Sequence, residues 1–74
     1  MISFCQFGAG RIGAIHAGNI ARHPGARLLH VVDVSEGAAA QLAKQHGARV
    51  STGDAALADP AVDAVLIEIG RAHV

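Results

Sequence analysis

Residues 7–13 read Phe7-Gly8-Ala9-Gly10-Arg11-Ile12-Gly13, a G-x-G-x-x-G spacing set between two runs of different period. Before it, Ile2 to Phe7 is a short run rich in strand formers that stops at Gly8. Such a run suits a parallel strand covered on both faces, where alternation is lost. After it, Ile12, Ile15, Ala17 and Ile20 fall close to one stripe of a helical pattern over Arg11 to His23, and Pro24-Gly25 ends that pattern. Glycine is common, so the spacing alone is weak. A strand before it and a helix after it give it weight as a dinucleotide fingerprint. Each glycine then has its own task. Gly8 allows the tight turn, Gly10 lets a pyrophosphate approach the backbone, and Gly13 lets the helix lie close on the strand. Free N–H groups and the helix dipole at this end attract phosphates. The alternative is a glycine-rich turn that binds nothing.

A second strand runs from Ala26 to Val34 through Leu28-Leu29-His30-Val31-Val32 and ends at Asp33, 20 residues after Gly13. The fingerprint expects an acid about 20 residues on, accepting hydrogen bonds from the adenosine ribose. A carboxylate there also repels a 2′-phosphate, so the cofactor expected is NAD rather than NADP. The other reading of Asp33 is an acid that caps the following turn.

Beyond it, Ser35 is placed to cap a helix, with Glu36 in its first turn. Gly37 to His46 is alanine-rich, and Gly47 ends the helix. Arg49-Val50-Ser51 suggests a short strand. Asp54 is placed to cap a short helix over Ala55 to Ala58, Asp59-Pro60 breaks it, and Val62 to Ile67 reads as a further strand. The order is βαβα(β)αβ. This predicts an α/β chain with a doubly wound parallel sheet, here only part of one.

Composition removes other classes. Of the 74 residues, 51% are apolar and 16% charged, the latter below the usual quarter, so the chain is too apolar to be disordered. Six basic residues balance six acidic ones. No electrostatic case for nucleic acid or an anionic membrane remains. With Phe4 and Phe7 the only aromatics, stacking platforms for single strands are missing. A single cysteine excludes an internal disulfide framework and suggests a reducing compartment. No run reaches the roughly 18 apolar residues of a membrane span. The N-terminus carries no basic region before its apolar stretch, which leaves the cytoplasm as the expected location. A chain of this length buries only about 60% of its unfolded surface and is marginal alone.

Few other residues suggest chemistry. Arg11 either reaches a cofactor or stays in solvent. His16 either faces the cofactor or a neighbouring loop, or is structural. His23, His30, His46 and His73 show no metal-ligand spacing with Cys5 or each other, so no metal is expected. Cys5 reads as a small core residue. No Ser-His-Asp, Cys-His or carboxylate-pair arrangement is legible, and no catalytic residue is assigned.

The opening Phe7-Gly8-Ala9-Gly10-Arg11-Ile12-Gly13 with Ile15-His16-Ala17 and Asn19-Ile20 resembles the start of the Gfo/Idh/MocA oxidoreductases. The phrases His23-Pro24-Gly25-Ala26-Arg27-Leu28, Val31-Val32-Asp33-Val34 and Asp59-Pro60-Ala61-Val62-Asp63-Ala64-Val65-Leu66-Ile67 fit the same family. The resemblance covers about residues 1–67. It implies the N-terminal part of a Rossmann-type domain, with a substrate domain beyond this chain. It also implies hydride transfer between NAD and a polyol or sugar hydroxyl, myo-inositol above all, in a homo-oligomeric parent. The cofactor-binding set expected is Gly8, Ala9, Gly10, Arg11, Ile12, Gly13 and Asp33, with Arg11 and Ile12 at the pyrophosphate turn. The family's catalytic lysine and its later Asp and His would lie beyond Val74, so this chain alone is expected to be inactive.

After Ile67 the resemblance stops. The family continues with small residues, where this chain reads Glu68-Ile69-Gly70-Arg71-Ala72-His73-Val74. Ile69 to Val74 match the in-frame translation of a short-read sequencing adapter. Residues 68–74 are therefore expected to be a non-native tail. Two other classes fit parts of the pattern. A non-catalytic nucleotide-sensing module would share the glycine loop and Asp33. An S-adenosylmethionine methyltransferase would also use a glycine-rich loop and a strand-end acid, but the third glycine with immediate helix entry argues against it.

Overall fold

The computed structural model describes residues 1–68. Four strands and three helices alternate: β1 (Ile2–Phe7), α1 (Arg11–Arg22), β2 (Ala26–Val32), α2 (Glu36–His46), β3 (Arg49–Val50), α3 (Gly53–Ala58) and β4 (Ala64–Ile67). The strands form one parallel sheet in the order β3-β2-β1-β4. The chain winds outward from β1 through β2 to β3, then returns past its start to β4. Right-handed crossovers therefore put α1 and α2 on one face and send α3 to the other. The expected α/β, partly doubly wound architecture is the one observed.

The core is small and alanine-rich. Ala9, Ala17, Ala39 and Ala43 pack with Ile20, Leu28, Val31 and Leu42 where α1 and α2 meet β2 and each other. Small side chains let the helices approach the sheet closely, so each methyl of the few larger residues counts.

The inner face of α1 differs from the expected stripe. Gly13, Ala17 and Ile20 are buried, whereas Ile12 and Ile15 are 53% and 54% exposed. The glycine that must touch β1 fixes the helix's rotation. At about 100° per residue, positions 13, 17 and 20 follow it inward while 12 and 15 turn away.

Helix ends follow local chemistry. Ser35 caps α2, its hydroxyl accepting from the Ala38 N–H, and Gly47 ends it in the left-handed conformation. The cap of α3 is Thr52 rather than the expected Asp54, which sits in the first turn. β2 stops at Val32 because Asp33 leaves the ladder to bond the next turn. β4 starts at Ala64 rather than Val62. The Val62 N–H closes a turn on the Asp59 carbonyl, and Asp63 exchanges two hydrogen bonds with the Ser3 backbone.

The fold also assembles a Ser-His-Asp group that no sequence spacing announces. His30 on β2 is 4% exposed, with Nδ1 2.6 Å from Ser51 Oγ and Nε2 2.7 Å from Asp59 Oδ2. A carboxylate only accepts, so Nε2 donates to Asp59, and a neutral ring then accepts the Ser51 hydroxyl at Nδ1. The ring is buried and both of its nitrogens are engaged. The group ties β2 to the start and end of the β3–α3 segment. The Asp59 carboxyl is held below its ordinary range, first by the Ala61 N–H and then by His30.

A depressed carboxyl stabilises the fold above its unfolded pKa, near 3.9, and that contribution is lost as pH falls through its folded value. Thermal unfolding between pH 6 and 2 should therefore show an acid limb that is shallower in Asp59→Asn than in the wild-type chain. Identical limbs would remove Asp59 from the acid response.

Candidate functional site

The strand order reverses between β1 and β4, and ligands of open α/β sheets bind at the carboxyl ends of strands where this happens. A cavity of about 360 Å³ opens there. Phe7, Gly8 and Gly10 line it from the end of β1, Val32, Asp33 and Val34 from the end of β2, and Glu68 from just past β4. The glycine turn and the strand-end acid, 20 residues apart in sequence, thus share one crevice.

The three glycines meet three different constraints. Gly8 has φ +111°, and a Cβ there would overlap the Glu68 carbonyl. Gly13, in α1, packs against the end of β1, and a Cβ there would overlap the Gly8 carbonyl and stand 3.0 Å from Gln6 Nε2. Gly10 has nothing within 4 Å of where a Cβ would be. Packing explains Gly8 and Gly13. It gives no reason for Gly10, whose surroundings are open.

Gly10 caps α1 without a side-chain bond, and no acid stands in that first turn. The leading N–H groups of a helix lack internal partners, and their dipole carries partial positive charge. Arg11 and Ile12 are exposed on this turn, while Ala9 is buried beneath it.

Asp33 joins both sides of the crevice. Its Oδ2 accepts the Ala9 N–H at 2.6 Å and its Oδ1 the Ser35 N–H at 2.8 Å. Turn capping, one of the two readings of this acid, is present. It does not exhaust the carboxylate, which offers about four lone-pair sites.

Two residues escaped sequence reasoning. Gln6 is fully buried, and its Nε2 donates to the carbonyls of Gly8 (2.9 Å) and Gly13 (2.7 Å). The available signal was a polar residue inside an apolar buried strand. Glu68, grouped above with the tail, extends the sheet through its N–H to the Phe7 carbonyl at 2.7 Å. Its carboxylate stands 3.2 Å from His16 Nε2, so His16 faces this acid at the crevice rim. Residues 69–74, with Arg71 and His73, lie outside the described residues. Cys5 is buried in β1, which pushes its thiol pKa up and keeps it unreactive.

Residues 2–73 match the family model described as an oxidoreductase family with an NAD-binding Rossmann fold. The chain belongs to the Gfo/Idh/MocA oxidoreductase family. Within it, the chain is 41% identical over 66 residues to inositol 2-dehydrogenase of Rhizobium meliloti, covering 89% of this chain and 20% of that protein. The crystal structure of a myo-inositol dehydrogenase from Corynebacterium glutamicum superposes with a TM-score of 0.88 at 34% identity, over 95% of this chain and 21% of that one. The myo-inositol dehydrogenase of Lactobacillus casei, solved with NAD(H) and myo-inositol, gives 0.83 at 26% identity, over 92% and 21%. This Gfo/Idh/MocA chain thus spans about a fifth of the relatives it matches.

The glycine contacts separate by stability. Gly8→Ala and Gly13→Ala should each cost about 1–3 kcal/mol, through backbone strain and overpacking respectively. Gly10→Ala should stay within about 0.5 kcal/mol of wild type. Urea midpoints of the three variants test this, and an equal loss at Gly10 would contradict the open space around it.

Proposed function

We propose that residues 1–67 are the N-terminal, NAD-binding part of a longer dehydrogenase that moves hydride from a polyol or sugar hydroxyl to NAD. Myo-inositol is the proposed substrate, by likeness to the inositol dehydrogenases. The observation that carries this reading is the crevice at the strand reversal. It unites a bare Gly10, a helix N-terminus free of acids and the Asp33 carboxylate in a chain of this family. The comparisons name dehydrogenases, which favours an enzyme over a nucleotide-sensing module.

Gly8, Ala9, Gly10, Arg11, Ile12, Gly13 and Asp33 form the proposed cofactor site. In this reading the α1 N-terminus takes the pyrophosphate. Gly10 lets the phosphates reach the backbone, and Arg11 stands exposed beside them. The free acceptor capacity of Asp33 meets the adenosine ribose hydroxyls and disfavours a 2′-phosphate. When bound, the nicotinamide supplies the hydride acceptor. Removing the hydroxyl proton needs a base within hydrogen-bond reach of the substrate, a task assigned here to residues beyond this chain. The parent is proposed to be a cytoplasmic homo-oligomer, and residues 68–74 a non-native tail.

Calorimetric titration should give tighter binding of NAD than of NADP. Asp33→Ala should narrow that preference about tenfold, the scale of one lost charge-assisted hydrogen bond. Tighter binding of NADP by the wild-type chain would overturn the cofactor assignment. The tail has its own test, sequencing of the source DNA across codon 67. A frame that runs on into small residues and a lysine-bearing substrate domain is expected. A frame that truly encodes Ile69 to Val74 and stops would defeat the dehydrogenase parent and revive the sensor.

A further inference from the structure

Gln6 stands near the carboxyl end of β1, an inner strand of the sheet, with none of its surface exposed. A buried primary amide is costly unless its hydrogen bonds are made. Here Oε1 finds no partner, so the residue carries a penalty that a leucine of similar volume would not. What the amide does instead is donate both of its protons to carbonyls of the glycine turn, one before Gly10 and one after it. Two carbonyl acceptors also fix the amide's orientation, since a flipped group would set oxygen against oxygen.

Each of those carbonyls belongs to a peptide unit that is held at its other end too. The Gly8–Ala9 peptide gives its carbonyl to Gln6 and its N–H to Asp33 Oδ2. The Gly13–Ala14 peptide gives its carbonyl to Gln6 and its N–H to the Gly10 carbonyl, at 2.8 Å. Both are trans. A planar trans peptide gripped at C=O and N–H has no freedom left to rotate. Both ends of the segment Ala9–Gly13 are therefore locked, and among the described residues Gln6 is the one side chain hydrogen-bonded to both locks.

We propose that Gln6 is a positioning residue for the phosphate-binding turn, holding the backbone amides of residues 10–13 in the arrangement a dinucleotide pyrophosphate requires. The inference rests on the nucleotide reading of the site. It assigns to β1 a part in ligand recognition through residues Gln6 itself never touches.

The test pairs two ligands on the 74-residue chain. ADP-ribose carries the pyrophosphate, whereas adenosine meets only the Asp33 side of the crevice. Gln6→Met keeps the length and removes both donors. It should weaken ADP-ribose binding about tenfold, the scale of one to two hydrogen bonds, with adenosine binding within about twofold of wild type. Equal losses for both ligands, or none, would overturn the proposal.

A ligand-free readout separates this idea from the nucleotide reading. If wild type binds no ADP-ribose, that reading fails, yet amide exchange still bears on Gln6. Exchange at Ala9 and Ala14, the two hydrogen-bonded amides of the gripped peptides, should quicken about tenfold in Gln6→Met, with Leu28 and Val31 unchanged. Unaltered exchange at the turn would refute the strut. Should Gln6→Met not fold, the wild-type side-chain amide protons of Gln6 suffice. They must be protected from solvent exchange, and exchange at the free-amide rate would sink the proposal.

Discussion

The contact between Gly13 and the end of β1 governs the rest of the structure. One extra carbon on Gly13 would overlap the Gly8 carbonyl and crowd the Gln6 amide. That closeness sets how deep α1 lies on the sheet and how it is rotated. Rotation then decides which residues form the core, with Ala17 and Ile20 inside and Ile12 and Ile15 outside. Depth decides where the first turn of α1 opens, at the reversal of strand order where the sheet leaves a crevice.

Two polar tethers complete this arrangement from opposite sides of β2. At its carboxyl end Asp33 bonds Ala9 and Ser35, joining the glycine turn to the start of α2. Further back, His30 bonds Ser51 and Asp59 and anchors the short β3–α3 segment. The segment has little apolar burial of its own, with Ala56 the one buried residue of α3. Hydrogen bonds from a buried ring do there what packing does for α1 and α2.

Much of the fold was legible because its signals are local. The glycine spacing, the strand before it, Asp33 ending the second strand, and the Ser35 and Gly47 helix ends all depend on neighbours within a few residues. The misreadings came mostly from long-range effects, and one, the α3 cap, from a choice between two nearby side chains. The α1 stripe looked like Ile12, Ile15, Ala17 and Ile20 because periodicity counts apolar side chains, whereas the inner face was chosen by a glycine that has none. Thr52 displaced Asp54 as the α3 cap, a shift of two residues within a stretch where either side chain could serve. His30 and Gln6 were passed over because their partners lie 21 to 29 residues away or are backbone carbonyls, which leave no trace in a spacing rule. For the site, Gly8, Gly10 and Asp33 were readable as neighbours, but Glu68 at the crevice and the second use of Asp33 as a brace for Ala9 were not.

The return of the chain to β1 also has a consequence in time. β1 is made first, yet its second neighbour is β4, whose register pairs Phe4 with Ala64 and Phe7 with Ile67. Contacts that close so long a loop form late, because the chain gives up its entropy before they reward it. A ribosome releasing this segment therefore exposes one side of its central strand until residue 67 has emerged. The wall that Glu68 gives the crevice arrives last of all, and the nascent chain has no complete crevice until then.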